Sequence, residues 1–217
     1  MSMGGEPSGE EFVISPPLRR GTPLILKGIE RILFAVLDET RAVTVEEYMV
    51  SLFPSFALQY CLRRKSVVSN ETRYLSDLKT KDFKKVVIVG GGPAPFTALH
   101  WANVYCGPVV VLDKSGLAKL LSEKLVKRLG IKNIEILNVR GEDYKDYGNC
   151  IVSISLYAEN KEMIVRRVLE NREGNNVIFL RAFIDEACKS FTKWKVIEQT
   201  SDFGTLVLGP LHSPAIK

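Results

Sequence analysis

Three glycines stand between a run of β-branched residues and a pair of prolines: Val86-Val87-Ile88-Val89-Gly90-Gly91-Gly92-Pro93-Ala94-Pro95. Glycine tolerates positive φ and lets a ligand lie against bare backbone. A buried strand feeding such a turn is how α/β proteins cradle nucleotide-like ligands. Two further groups have the right types and places. Asp113 closes the next apolar run, about 20 residues on, the spacing at which an acid meets ribose hydroxyls in this topology. Gly141-Glu142-Asp143 follows the third apolar run, where a carboxylate can accept from an exocyclic amino group.

The turn is a poor pyrophosphate site. A dinucleotide fingerprint wants a third glycine where Pro95 stands, and Pro93 and Pro95 carry no N–H to offer a phosphate. No Gly-Lys-Ser/Thr follows, so the P-loop pattern fails too. S-adenosylmethionine has no phosphate. It asks for close backbone at its methionyl part, an acid for the ribose and polar groups for the adenine. The candidate cofactor-binding set is therefore Gly90, Gly91, Gly92, Pro93, Asp113, Lys114, Glu142, Asp143 and Ser155, with S-adenosylmethionine as co-substrate.

The elements that position these residues are read from periodicity. Val86–Val89, Val109–Asp113, Ile134–Val139, Cys150–Leu156 and Val177–Leu180 read as buried strands. Helices are expected over Phe96–Tyr105, from Ser115 to a C-terminal Gly130, and over Glu159–Glu170. In the second of these, Leu117, Leu120, Leu121, Leu125 and Leu129 mark the apolar face. Lys195–Gln199 and Thr205–Gly209 read as an antiparallel hairpin. The expected fold class is α/β, a doubly wound, mostly parallel seven-stranded sheet with an antiparallel C-terminal hairpin. A sheet of that kind is associated with S-adenosylmethionine-dependent transferases.

Ahead of the sheet the chain reads differently. Residues 1–20 are rich in Gly, Ser, Glu and Pro and read as a disordered tail. Residues 21–82 read as a small N-terminal helical cap, and 83–217 as the Rossmann-like S-adenosylmethionine-binding domain. In the cap, Ile25, Ile29, Ile32, Leu33, Val36 and Leu37 share one helical face, with Glu30 at its edge. Thr44-Val45-Glu46-Glu47 is a capping-box pattern that predicts a helix start at Thr44, with Val45, Tyr48, Met49, Leu52 and Phe53 facing inward and Pro54 ending it. Short helices are expected over Phe56–Leu62 and Asn70–Lys79.

Composition narrows the class. The 217 residues are 46% hydrophobic and 25% charged, ordinary for a globular protein. The net charge of +5 is spread among acids and reads as a solvated surface, not a nucleic-acid face. Cys61, Cys106, Cys150 and Cys188 are far apart, and His100 and His212 are the only histidines, so no metal site is expected. No signal segment or bilayer-length apolar run is visible, and a cytoplasmic location is expected.

Gly90-Gly91-Gly92-Pro93-Ala94-Pro95-Phe96-Thr97 resembles the Gly-(Ser/Gly)-Gly-Pro-Leu-Pro-Leu-Thr signature of nicotianamine synthases, in particular their archaeal relatives. The similarity continues through Val104-Tyr105, Asp113, Leu129-Gly130, Gly141-Glu142, Ala158-Glu159-Asn160-Lys161 and Arg181. The resemblance implies transfer of the 3-amino-3-carboxypropyl group of S-adenosylmethionine to a small amine or amino-acid-like acceptor, with methylthioadenosine leaving. It also implies a catalytic glutamate in the helical cap, which an ungapped match from Phe53-Pro54 places at Glu30. Phe56 stands where the family has a tyrosine, and Ile184-Asp185-Glu186 where a glycine and arginine are expected. A methyltransferase on the same scaffold and a non-catalytic relative are the alternative readings. Ser155-Leu156-Tyr157-Ala158 occupies the place of the Asn-Pro-Pro-Tyr motif of amino-group methyltransferases. No nucleic acid or membrane partner is implied; a homodimer is compatible with the pattern.

Overall fold

The computed structural model of the chain describes residues 39–52, 68–75, 83–171, 176–183, 195–199 and 203–208. Glu30, the helix expected around it, Phe53, Pro54, Phe56–Leu62, residues 76–79 and the segment 184–194 lie outside the described residues. No helix among the described residues is long and apolar enough to cross a membrane.

Strand β1 (Lys85–Val89) is the centre. It pairs in parallel with β2 (Val109–Leu112) on one side and β4 (Cys150–Ile154) on the other. β3 (Ile134–Leu137) extends the first side and β5 (Val177–Phe183) the second, both parallel. β7 (Phe203–Leu208) adds to β5 antiparallel, and β6 (Lys195–Gln199) closes the edge as its hairpin partner. The sheet order is β3-β2-β1-β4-β5-β7-β6. The order reverses between β1 and β4, and a crevice at the strand C-termini opens there.

Alternation along β1 divides the core. Val87 and Val89 face one layer, with Val152, Ile154 and Leu180. Helix α5 (Lys161–Glu170) covers it through Ile164, Val165 and Val168. Val86 and Ile88 face the opposite layer, with Val111, Ile151 and Phe179. Helix α2 (residues 68–75), α3 (Phe96–Val104) and α4 (Gly116–Arg128) supply Val68, Leu75, Ala98, Trp101 and Val126 to that layer. Such two-faced burial is why the strands read as unbroken apolar runs.

Several element ends differ from the periodicity reading, each for a physical reason. β3 stops at Leu137 and β4 at Ile154, because their parallel partners end in register at Leu112 and Val89. α5 begins at Lys161, since Asn160 holds φ +53, outside any right-handed helix. β5 runs on to Phe183, because β7 pairs with it as far as Phe203. α4 matches its punctuation. The Ser115 hydroxyl accepts from the Ala118 N–H at 3.2 Å. Its end is a Schellman motif: Gly130 at φ +72 donates to Lys127 and Ile131 to Val126.

The buried faces of two helices are corrected. In α4, Ala118, Ser122, Leu125 and Val126 are buried, while Leu117 and Leu120 are about half exposed at 55% and 48%. The small side chains let the helix lie close to the sheet and leave the larger leucines outside. Helix α1 (Glu39–Leu52) runs through Thr44, so the capping-box pattern lies inside it. No glycine or proline interrupts 39–44, and the helix needs no stop there. Val45 and Leu52 are exposed; Val50 and Ser51 are buried. Packing of Val50 with Ala94 and Leu125 chooses the face.

A buried ion pair fastens α2 to the sheet. Arg181 on β5 reaches Glu71 at 2.6 Å, and the two side chains are 4% and 0% exposed. Glu71 also accepts from Ser153 Oγ and from Trp101 Nε1, both at 3.1 Å. Arg181 Nη1 donates to Thr97 Oγ1 at 3.1 Å, while its Nε is buried without a partner. Removing one member of a buried pair leaves an uncompensated charge, at about 3–5 kcal/mol. Glu71→Ala is expected to lose about that much unfolding free energy in urea denaturation, and the double variant Glu71→Met with Arg181→Met to recover most of it.

Candidate functional site

A cleft opens at the C-terminal ends of β1, β2, β3 and β4. Gly90 and Leu112 line its floor, with Asp113 and Lys114 on one wall and Gly141 and Glu142 on the other. Tyr157, Ala158 and Glu159 complete it from beyond β4.

The glycine turn has positive φ at two of its three residues, +78 at Gly90 and +66 at Gly92. All three of its N–H groups are committed. Those of Gly90 and Gly91 reach the Leu112 carbonyl at 2.9 and 3.4 Å. That of Gly92 reaches Asp113 Oδ2 at 2.8 Å. Pro95 at the α3 N-cap makes no side-chain cap bond. The turn therefore fixes the end of β2 against the end of β1 and offers no free glycine N–H to a phosphate.

Asp113 is the hinge of the site. Its Oδ2 takes the Gly92 N–H and its Oδ1 the Ser115 N–H at 2.8 Å. Two backbone donors hold the carboxylate at the mouth of α4. A carboxylate has about four acceptor sites, so capacity for two hydroxyl donors remains. Across the cleft, Glu142 lies in the 3-10 turn Gly141–Asp143, and its Oε1 accepts from Asn160 Nδ2 at 2.8 Å. Gly141 is there for want of room: a Cβ would come within 2.6 Å of Val89 Cγ1.

Lys114 forms an ion pair with Glu159 over the cleft. Its ammonium, hydrogen-bonded to Glu159, holds that carboxyl below the usual carboxylate range. In the core, Cys150 and Tyr147 are fully buried. Burial pushes the Cys150 thiol up to about 12 and the Tyr147 phenol up in the same direction, so both are neutral packing groups.

Of the residues proposed from sequence, Gly90, Asp113, Lys114 and Glu142 line one cleft. Gly92 and Ser155 act on the turn itself, the latter donating to the Gly90 carbonyl at 2.6 Å. Gly91 faces Val111 in the core, Pro93 is buried, and Asp143 is exposed and outside the cleft lining. Sequence reasoning did not assign Arg140, Tyr157 or Glu159 to the site; their position just past β3 and β4 was the available signal. It also passed over Glu47. A Cβ on Gly92 would lie 2.2 Å from Glu47 Oε2.

The strand order and the crevice define a Rossmann-like methyltransferase fold. No protein-family model matches the chain, and no curated protein matches its sequence. Among solved structures, MtNAS, a nicotianamine synthase, in complex with MTA and tNA, is similar with a TM-score of 0.64 at 15% identity. That likeness covers 87% of this chain and 76% of that one. The 23S rRNA methyltransferase ErmE is similar with a TM-score of 0.51 at 16% identity, over 71% of this chain and 70% of its own.

Two glycines separate the causes of intolerance. A Cβ on Gly91 would meet Val111 Cγ1 at 2.1 Å, within the buried sheet; one on Gly130 meets nothing within 4 Å. Gly91→Ala is expected to cost about 1–3 kcal/mol by overpacking. Gly130→Ala is expected to cost about 1–2 kcal/mol through its positive φ alone. Urea denaturation of both variants checks this.

Proposed function

We propose that this chain is an S-adenosylmethionine-dependent transferase that moves the 3-amino-3-carboxypropyl group to a small amine or amino-acid-like acceptor, giving a nicotianamine-like metallophore. The observation that carries the ligand class is the Gly92 N–H bound to Asp113. It leaves a turn with its N–H groups occupied beside a fixed anionic acceptor. A phosphate is disfavoured there; ribose hydroxyls and a cationic sulfonium suit it. The residues fit the co-substrate. Asp113 takes the ribose, Glu142 the adenine amino group, and the bare backbone at Gly90 admits the methionyl part.

In this reading the acceptor nitrogen attacks the γ-carbon of S-adenosylmethionine. The carbon–sulfur bond breaks, its electron pair passes to sulfur, and methylthioadenosine leaves. The nitrogen gives up a proton to Glu30, the carboxylate that the family resemblance implies. The likeness of fold to MtNAS supports this transfer; the likeness to ErmE supports methyl transfer as the second reading.

Calorimetric titration with S-adenosylmethionine is expected to show binding below millimolar ligand. Absence of binding there sinks both enzyme readings and leaves a non-catalytic relative. Turnover with amine acceptors is expected to release methylthioadenosine; release of S-adenosylhomocysteine would establish the methyltransferase instead. Glu30→Gln is expected to keep S-adenosylmethionine affinity while turnover falls about 10²- to 10⁴-fold, the usual contribution of a general base. Full activity in that variant removes Glu30 from the mechanism.

A further inference from the structure

Two carboxylates, from different parts of the chain, meet at one glycine. Asp113 Oδ2, at the end of β2, accepts the Gly92 N–H at 2.8 Å. The Glu47 carboxylate, from α1, lies where a side chain on that residue would be: a Cβ built on Gly92 would have Oε2 at 2.2 Å and Cδ at 3.2 Å. With φ +66 and no side chain, Gly92 is what allows the approach. The contact is not left to a loose surface helix. α1 is seated by Val50 against Ala94, within the turn that follows Gly92, and against Leu125 of α4. At its end, Arg128 donates to the Leu52 carbonyl at 3.5 Å.

The cleft gives this placement a direction. In the S-adenosylmethionine reading, the adenine lies at Glu142 beyond β3 and the ribose at Asp113 beyond β2, both of which line the cleft. In sheet order the next strand is β1, whose turn carries Gly90 to Gly92. In that reading the substituent on the ribose 5′ carbon runs toward this turn, whose Gly90 lines the cleft. In S-adenosylmethionine that substituent holds a sulfonium and, further out, an ammonium.

We propose that Glu47 is a specificity-determining residue of this cleft, reading the positive charge of the ligand's 5′ substituent and so favouring S-adenosylmethionine over its uncharged thioether product. This rests on the S-adenosylmethionine reading given above. It predicts a division of labour. Asp113 and Glu142 bind the adenosine part common to substrate and product. Glu47 contributes only while the charge is present, so loss of the sulfonium on transfer weakens the product's hold and favours its release.

The test compares three probes by calorimetry on the full chain and on Glu47→Gln, a substitution that keeps side-chain size. The probes are S-adenosylmethionine, S-adenosylhomocysteine, which keeps the ammonium but not the sulfonium, and methylthioadenosine, which has neither charge. The variant is expected to bind S-adenosylmethionine about 10- to 100-fold more weakly while methylthioadenosine affinity stays within about twofold. A parallel loss for S-adenosylhomocysteine assigns Glu47 to the ammonium; its absence assigns it to the sulfonium. Equal loss for methylthioadenosine, or no loss for any probe, overturns the proposal. Salt titration of the unmodified chain gives a check that needs no variant. S-adenosylmethionine affinity is expected to fall with ionic strength more steeply than methylthioadenosine affinity, and equal slopes overturn the proposal. If methylthioadenosine binds the unmodified chain but S-adenosylmethionine does not, the Glu47 proposal fails while the nucleoside site stands. If neither binds, the site reading itself fails, and this proposal with it.

Discussion

Arg181 is a charged side chain buried on β5, and much of the structure is arranged around that fact. Glu71 is the only arrangement of charge that neutralises it among the described residues. The pair draws in Ser153 from β4, Trp101 and Thr97 from α3, and α2 itself. Thr97 stands two residues after Pro95, at the start of the helix that leaves the glycine turn. One ionic contact thus ties the segment ahead of the sheet to the two strands beyond the switch point and to the helix that aims the turn. Desolvation makes such a pair a weak source of net stability, but an expensive one to break. Its effect is to select one seating of α2 on the sheet.

The site is built by the opposite logic, from backbone groups that are used up. Three N–H groups of the turn point at partners of the protein, and the last of them orients the acid at the end of β2. A phosphate site of the same outline would keep those donors open. Here the turn withholds those donors and fixes a negative charge beside it. Asn160, held at positive φ, then positions Glu142 from the opposite wall.

The parts legible in the sequence were those set by local rules. β-branched runs marked β1 and β2 because both of their faces are buried. Ser115 and Gly130 marked α4 because caps and positive φ are local chemistry. The glycine turn and Asp113 could be placed together because a parallel sheet brings successive strand ends to one edge. Helix faces were less legible. In α4 the more apolar stripe, with Leu117 and Leu120, is exposed, and the face with Ala118 and Ser122 is buried. Thr44 carries a start signal that the helix overrides because nothing upstream opposes it. Glu47 could not be found at all from spacing, since its neighbour Gly92 lies 45 positions away and meets it only through the packing of Val50.

The backbone around the cleft is shaped by the hydrophobic core. The missing side chain of Gly91 leaves its room to Val111, and that of Gly141 leaves its room to Val89 and Ile164. These three are core residues of β2, β1 and α5. Diversity introduced there would be screened first by folding and only afterwards by chemistry. The rim is different: Lys114 and Glu159 are exposed, and Glu142 and Tyr157 are partly so. Rim residues can therefore change while that backbone stays fixed, and a laboratory library aimed at altered ligand preference belongs at those four positions.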